Sequence, residues 1–465
     1  MTSQEVIKLL EMYSNQINSK IIKDLISDHL PIKQKTQKLY QSYSGDVAIK
    51  TRTFDDVNKI NSKLPNDYRG DIVDGITGYM FGENISYVID KSKLSETEYK
   101  NASERLNTFL IKNNIEDLDS TTGEMMSICG HAARLLYIDK EGNEKVMSIN
   151  PWEVVFVMNQ TIDEVQFAMI YYEIEIIENG DRKKRTRVEW YDSTTVTFFI
   201  SNDSGDYDLD LSETKNPLPH MFKYVPVVRY TNNNLLKGDF EKVEELIDAY
   251  DRSLSDIQNE VEEFRLAYFA FYGVEPTPEV IKAARQTGAF NFPEGSKGEF
   301  LTKDLNGAVE FLKDHKKTLN ENIYKFAKAV DMRDEQFSGS AMSGESRKWK
   351  LVALENRAKT KERKFVKGLR EMFKVICSAW ETKQIKLNYE DISFQFKRNL
   401  PVDLSYIADV LSKLNGQISD ETRLSLAPFI KDVEGEIEKI KAEQEGKVNF
   451  DTLPIVKPND GNIQQ

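Results

Sequence analysis

The chain has 465 residues, of which 40% are hydrophobic, and its 63 Lys and Arg stand against 76 Asp and Glu, giving a net charge of −13. A chain of this length and apolar content can bury the cores of roughly two to four domains. The negative charge argues against a general electrostatic attraction for nucleic acid, so we expect any contact with DNA to be local.

Metal-binding and disulfide-forming residues are sparse. Cys129 and Cys377 are the only cysteines, and the four histidines lack the spacing of metal ligands. The N-terminus has no apolar signal segment, and no run of about 18 apolar residues occurs in the sequence. The sequence therefore predicts no metal site, no disulfide framework, no secretion and no membrane span.

The N-terminal half predicts a mixed α+β domain. Its first sixty residues have the pattern of helices that are interrupted near Pro31 and at Ser44-Gly45. Residues 65–90 predict a helix that gives way to a strand. From residue 133 to 230, β-branched and aromatic residues predict a series of strands, with a hairpin around Gly142.

A long helix is predicted next, over residues 239–268. Two apolar series recur there every seven residues, as in the seam of a coiled coil. The first is Val243, Tyr250, Ile257 and Phe264, and the second is Ile247, Leu254, Val261 and Tyr268. Such a surface either packs against a neighbouring subunit as well as its own chain, or serves intramolecular packing alone.

Residues 271–304 predict a small α/β insertion. Pro278 opens a short helix that Gly288 ends, and residues 289–302 have the pattern of a strand, a turn and a second strand. Helical periodicity then resumes over residues 307–331. We therefore expect the insertion at the tip of two long helices.

Residues 337–350, FSGSAMSGESRKWK, come within one residue of a nucleotide-binding P-loop. Gly339 and Gly344 are spaced as in that motif, but Glu345 stands where the P-loop has its lysine. A P-loop also follows a buried strand, whereas helical sequence precedes these glycines. The sequence argues against ATP binding and leaves a glycine-rich loop with another function, or a simple connector.

The chain after this loop is mainly helical. A helix is predicted from residue 346 to about 383, and residues 345–375 carry 11 Lys and Arg against 4 Glu, so this segment is locally basic. Residues 392–396 predict a strand that returns to the first domain. Short helices joined at Gly416 and Pro428 follow, and residues 448–465 have the composition of a disordered tail.

This order of elements resembles the portal proteins of tailed double-stranded DNA bacteriophages, of the long-tailed, siphovirus type. Four strings carry the resemblance: GITGYMFGENISY (75–87), DFEKVEELIDAYDRSLSDIQNEVEEF (239–264), LNENIYKFAKAVDMRDEQFSGSAMSG (319–344) and KLVALENRAKTKERKFVKGL (350–369). The last two, in that order, are the most specific. The resemblance covers most of the chain and is loosest over 90–130 and in the tail.

The resemblance implies an α+β portal fold with a mixed α/β wing, long paired stem helices, a small α/β clip, a tunnel loop and a helical C-terminal crown. The expected boundaries are 1–238 for the N-terminal part of the wing, 239–268 and 307–331 for the stem helices, 269–306 for the clip, 332–345 for the tunnel loop, 346–400 for the long wing helix and strand, 401–447 for the crown and 448–465 for the tail.

The function implied is that of a conduit without catalysis or cofactor. In that family a ring, typically of twelve subunits, sits at one capsid vertex of the virion after assembly in the host cytoplasm. Double-stranded DNA passes through the channel during terminase-driven packaging and later ejection. The implied protein partners are the terminase large subunit, the major capsid and scaffolding proteins, and head-completion or adaptor proteins.

Two other functions are compatible with parts of the sequence. A DNA-processing enzyme, such as an ATPase or nuclease, would show clustered carboxylates or an activated nucleophile, and the sequence shows neither. A non-viral coiled-coil scaffold would account for the long helices but not for the β-rich first half.

The resemblance also implies where partners bind. The tunnel loop is expected to approach DNA with Gln336, Phe337, Ser338, Gly339, Ser340, Ala341, Met342, Ser343 and Gly344. Residues 336–343 are uncharged, which suits sliding because a strongly basic channel would hold the DNA phosphates. The clip is expected to dock partner proteins through Arg285, Phe290, Phe292 and Lys297.

The basic helix has two candidate roles. It either contacts acidic residues of neighbouring subunits, which is the interpretation we favour, or faces the channel near its entrance. The candidate acidic partners lie on the stem and are Glu241, Glu244, Glu245 and Glu262.

Overall fold

The structure, a computed structural model, describes residues 3–14, 16–56, 59–159, 164–178, 180–265, 268–273, 275, 277–288, 292–301, 306–331, 344–399, 404–427, 430 and 433–448. The chain divides into two compact units, Met1–Asn399 and Leu400–Gln465. The division falls beside residue 401, where the sequence predicts a crown to begin. The identity of the second unit as a crown stays a prediction.

The first unit begins with helices. Their bounds, with the first strand, are α1 Ser3–Met12, α2 Ser19–Tyr43, α3 Tyr68–Phe81, β1 Ser86–Ile89, α4 Glu96–Lys112 and α5 Ile115–Cys129. The predicted change from helix to strand within residues 65–90 is confirmed by α3 and β1.

Helix α2 corrects one prediction, because it runs through Pro31 instead of breaking there. A proline removes one intrahelical hydrogen bond. However, α2 is buried at Leu25 and Leu39, on both sides of the proline, and this packing keeps the helix continuous. The predicted interruption at Ser44-Gly45 is confirmed, since α2 ends just before it and Gly45 has a φ of 89° that favours glycine.

The strands predicted between residues 133 and 230 are confirmed. They are β2 His131–Ile138, β3 Glu144–Ile149, β4 Val154–Met158, β5 Val165–Glu178, β6 Asp181–Tyr191, β7 Thr195–Ser201, β8 Tyr207–Leu209, β9 Leu218–Pro219 and β10 Val227–Thr231. One antiparallel sheet has the order β10-β2-β3, and another has the order β4-β5-β6-β7-β8 with β9 beside β7. Antiparallel sheets packed with helices make this an α+β fold.

The chain then makes a long helical excursion. Its elements are α6 Glu244–Arg265, β11 Tyr268–Tyr272, α7 Pro278–Thr287, β12 Lys297–Leu301 and α8 Asn306–Ala327. Helix α6 packs along α8, and β11 pairs with β12 in antiparallel register. The structure thus confirms an α/β insertion carried between two long helices.

The strand arrangement within this insertion differs from the prediction. The partner of β12 is β11, which precedes α7, and Phe292 does not lie in a strand. The reason is that α6 and α8 lie side by side, so the segments that continue them meet and form the ladder. Phe290 lies outside the described residues.

The first unit is completed by α9 Gly344–Thr382 and β13 Ile392–Gln395. Helix α9 runs through the core, where Phe365, Phe373 and Trp380 are fully buried. Gly368 permits a close approach, because a Cβ atom there would lie 2.4 Å from the ring of Tyr230. The predicted return of the chain is confirmed, since β13 pairs antiparallel with β1.

The second unit consists of short helices, as predicted. They are α10 Leu404–Lys413, α11 Asp420–Ser425 and α12 Val433–Val448. Gly416, predicted to join two of them, has a φ of 78° in the turn after α10. Pro428 and residues 449–465 lie outside the described residues.

Candidate functional site

A buried ion cluster attaches the segment just before α6 to α9. One carboxylate oxygen of Asp239 lies 2.7 Å from Nζ of Lys361, and the other lies 2.7 Å from the guanidinium of Arg357 and accepts from Asn232 at 2.7 Å. Burial by itself would raise the pKa of Asp239, but the two cations overcome that effect and hold the pKa well below its usual value. Asp239 is therefore ionised at neutral pH. It holds the segment that leads into α6, which we call the root of α6, against α9.

Arg357 also fixes the end of α8. Its guanidinium donates to the backbone carbonyl of Ala327, the last residue of that helix. Helix α9 begins at Gly344, roughly 20 Å before Arg357 along the helix axis. The connecting residues, 328–343, can span roughly 50 Å when extended. The connection is therefore much longer than the distance that it has to bridge.

The predicted tunnel loop is described only at its C-terminal end. Residues 336–343, which include Phe337 and Met342, lie outside the described residues. Gly344 is the first residue of α9, so the helix begins two residues before its predicted start. Because the segment follows helix α8 and not a strand, its surroundings are those expected of a loop between helices and not of a P-loop.

The clip residues are only partly described. Phe292 packs on Phe271 of β11, with ring centroids 6.0 Å apart. Lys297 is exposed. Its Nζ atom lies 3.5 Å from a carboxylate oxygen of Glu299 and 5.0 Å from the ring centroid of Tyr272. Arg285 belongs to α7, but its side chain is outside the described part.

A polar stripe, which the sequence interpretation missed, occupies the buried side of α6. Its members, spaced one turn apart, are Asp251, Ser255 and Asn259, which are only 1%, 0% and 7% exposed. They accept hydrogen bonds at 2.9, 3.0 and 2.7 Å from the backbone N–H groups of residues 66, 64 and 62. An extended segment, 61–66, which we call the strap, therefore runs along α6.

Within one chain, the strap takes the place on α6 that the predicted heptad series would otherwise fill. Val243 and Ile247 are fully buried, but Leu254 and Ile257 are only half-buried and Val261 is 43% exposed. Tyr268 begins β11 and does not extend the helix. The polar stripe takes the buried side because strap backbone groups need hydrogen-bond partners there. The four-residue spacing of the polar residues was the available signal.

The candidate acidic partners of the basic helix are largely engaged within the chain. Glu241 pairs with Lys35 at 2.8 Å, and Glu244 accepts from Ser42 at 2.9 Å. Glu262 accepts from Gln258 at 3.0 Å. Glu245 is exposed on α6.

The described residues contain no group of three or more His, Cys, Asp or Glu side chains that could hold a metal ion. None of the described helices is both long and apolar enough to cross a membrane.

Comparison with known proteins connects this architecture to a family. Residues 22–449 match the family "Phage portal protein, SPP1 Gp6-like". The chain belongs to this family. It is 25% identical to the portal protein of Bacillus phage SPP1 over 447 residues, which cover 91% of this chain and 86% of that protein. It is 24% identical to the portal protein of Clostridium phage phiCD119 over 417 residues, covering 86% of this chain and 88% of that protein.

The portal subunit is therefore a structural protein of the phage virion, located at the portal vertex of the capsid, where it forms the channel for DNA packaging. Portal proteins are not enzymes, so the alternative of an ATPase or nuclease subunit is wrong, and so is that of a non-viral scaffold. Family membership implies a ring of subunits and interactions with DNA and terminase.

Proposed function

We propose that the portal subunit is divided as the resemblance implies, with the wing at 1–238 and 346–400, the stem at 239–268 and 307–331, the clip at 269–306, the tunnel loop at 332–345 and the crown at 401–447. The packed pair α6 and α8 supports the stem, and the β11–β12 ladder with α7 supports the clip. The pairing of β13 with β1 supports a wing made from both ends of the first unit.

We further propose that residues 332–345 are a tunnel loop that narrows the channel around DNA. The observation that carries this proposal is the surplus length between Ala327, which Arg357 fixes, and Gly344. A segment with such surplus can change shape while both helices stay in place. Phe337 and Met342 are its bulky side chains, and the serines can exchange hydrogen bonds with phosphates as the duplex advances.

Deletion of residues 338–343 tests the loop. The remaining connection still exceeds roughly 20 Å, so the helices should keep their places and rings should form normally. We expect procapsids that contain the portal but package or retain less DNA, measured as the genome length protected from nuclease. The double variant Phe337→Ala/Met342→Ala, which keeps the chain length, separates loss of bulk from loss of length. Normal packaging and retention by the deletion variant would show that the loop is only a connector.

The clip is proposed as the docking surface for the packaging motor and then for head-completion or adaptor proteins. Exposed Lys297 and the exposed helix α7, which contains Arg285, support this role. The major capsid and scaffolding proteins are proposed as partners of the rest of the ring, since they surround a capsid vertex.

Charge reversal tests the clip. Arg285→Glu/Lys297→Glu should weaken binding of the ring to the terminase large subunit while ring formation persists, measured by surface plasmon resonance on purified rings. Lys100→Glu/Lys140→Glu, which reverses two exposed lysines of the first unit outside the clip, is the matched control. If both variants bind terminase as the unmodified ring does, the docking surface lies elsewhere.

We propose a ring of twelve in which α6 and α9 contribute subunit contacts. The half-exposed apolar residues of α6, Leu254 and Ile257, support this role because a neighbour would cover them. On α9, Arg357 and Lys361 are engaged with Asp239, whereas Arg363 and Arg370 are exposed. We favour a contact between these exposed arginines and a neighbouring subunit over an orientation toward the channel.

A further inference from the structure

The β5–β6 hairpin extends beyond the sheet to which it belongs. Strand β4 pairs with β5 only as far as Ile170, and β7 pairs with β6 only from Arg187. The β5–β6 register nevertheless continues for six further pairs, which lead to the turn before Asp181. At about 3.3 Å per residue, residues 173–178 and 181–186 form a two-stranded arm roughly 20 Å long.

The arm is braced on one face. Asp203, from the connection after β7, lies 2.7 Å from the guanidinium of Arg185. Glu178 lies 2.8 Å from Arg185 and 3.0 Å from Lys183, across the ladder. The pair with Asp203 joins the arm to the connection after β7, whereas the pairs with Glu178 lie within the arm. Among the described residues, no ion pair braces the opposite face.

The other face of the arm is exposed and divided by charge. Residues opposite each other in register share a face, so Glu175 lies beside Lys184, and Ile177 lies beside Arg182. Together with Glu173, the exposed β5 side is acidic, whereas the exposed β6 side is basic. Ile177, near the tip, is 75% exposed.

Both outer edges of the arm lack a strand partner among the strands that the structure describes. A two-stranded ribbon is marginally stable in water, and an open edge is a template for pairing with another chain. If two arms met through the same edge, like charges would lie opposite each other. If β5 of one arm met β6 of another, opposite charges would lie together.

A cyclic ring provides the arrangement in which β5 of one arm meets β6 of another. Its subunits meet head to tail through two different surfaces, so one edge of each arm faces the other edge of the next. A rotation about the ring axis also keeps neighbouring arms pointing the same way. Because β5 runs toward the tip and β6 runs back, the two facing strands are then antiparallel, as within each arm.

We propose that the arms of neighbouring portal subunits pair edge to edge, with Glu173 and Glu175 of one subunit beside Arg182 and Lys184 of the next. The arm is then a subunit interface that closes the ring and covers Ile177. This proposal rests on the ring that the portal family implies, and it is independent of the roles proposed for the loop and the clip.

Two charge-reversal variants test it. Glu173→Lys/Glu175→Lys has two basic edges, and Arg182→Glu/Lys184→Glu has two acidic edges. In each variant alone, facing edges repel, and we expect ring assembly to require roughly tenfold higher protein concentration at moderate salt, measured by analytical ultracentrifugation. Lys100→Glu/Lys140→Glu should assemble as the unmodified chain does.

Mixing the two variants is the decisive measurement. Alternating subunits restore opposite charges at every interface, so equimolar mixtures should form rings that contain both variants in a 1:1 ratio by native mass spectrometry. The quadruple variant, which exchanges the two charges, should also assemble. Reversal within one arm also places like charges across its own ladder, and mixing cannot repair that effect. Rescue by mixing therefore identifies an interface between subunits.

Three outcomes overturn the proposal. Normal assembly of both double variants would mean that the charges only keep the arm edges soluble. Folded double variants, verified by circular dichroism, that fail to assemble when mixed would exclude pairing between arms. Rings that form normally but fail to enter procapsids would assign the arm to a capsid or scaffolding partner. All three readouts are independent of DNA packaging and of terminase binding.

Discussion

Helix α9 and the excursion from α6 to α8 are both long and helical, but they bury their apolar residues differently. In α9, Phe365 and Trp380 are fully buried in the core of the first unit. In the excursion, Phe311 of α8 is 70% exposed, and Val261 and Val280 are each 43% exposed. The core around α9 is therefore completed within one chain, whereas the excursion leaves apolar side chains exposed on the subunit.

The test with the largest expected effect replaces one phenylalanine in each region. The ring centroid of Phe365 lies 4.9 Å from that of Phe81 and 5.2 Å from that of Tyr230. Phe365→Ala removes this ring and should lower the free energy of unfolding by about 3–5 kcal/mol. Phe311→Ala should change it by less than about 0.5 kcal/mol, because that ring is mostly exposed. Denaturant titration below the assembly concentration measures both. Similar losses in the two variants would contradict the contrast.

A second test concerns the charges where the two regions join. Asp239→Ala leaves Lys361 buried without its carboxylate and should cost about 3–5 kcal/mol of the free energy of unfolding. Asp256→Ala is the control, because Asp256 is 61% exposed in its pair with Arg52, and its loss should cost about 1 kcal/mol or less. Equal effects would mean that the cluster does not fix the root of α6.

A third test uses two helical glycines. Gly368→Ala in α9 places a methyl group against the ring of Tyr230 and should destabilise the subunit by about 1–3 kcal/mol. Gly75→Ala in α3 meets no atom within 4 Å and should stabilise it by about 0.5–1 kcal/mol. Thermal unfolding of the two variants should therefore shift in opposite directions, and shifts in the same direction would argue against the close packing of α9.

The smallest effect is expected at the strap. Asn259→Ala removes the acceptor of the Ser62 N–H and should cost about 1 kcal/mol locally. Hydrogen–deuterium exchange at the Ser62 amide should then be roughly fivefold faster. Arg252→Ala, at an exposed position of the same helix, should leave that exchange unchanged. Unchanged exchange in Asn259→Ala would show that other contacts hold the strap.

The sequence predicted the order of elements well, because hydrophobic period and turn residues are local signals. The β-rich region, the excursion, the long helix α9 and the returning strand β13 were all correctly predicted. The turn of the arm also carried a signal, Asn179-Gly180, which is typical of a tight hairpin. This signal was not used in the sequence analysis, which missed how far the hairpin projects.

By itself, then, the sequence determined the α+β class, the succession of helices and strands, and the resemblance to portal proteins. Only the tertiary structure decided that α2 passes through Pro31, that the buried side of α6 is polar, and that Arg357 holds the end of α8. These outcomes depend on partners distant along the chain, such as Asn259 and Ser62. The four-residue spacing of the polar residues marks one face of α6, but no local pattern shows which distant segment bonds to that face, because hydrogen-bond partners far apart in the chain share no common period.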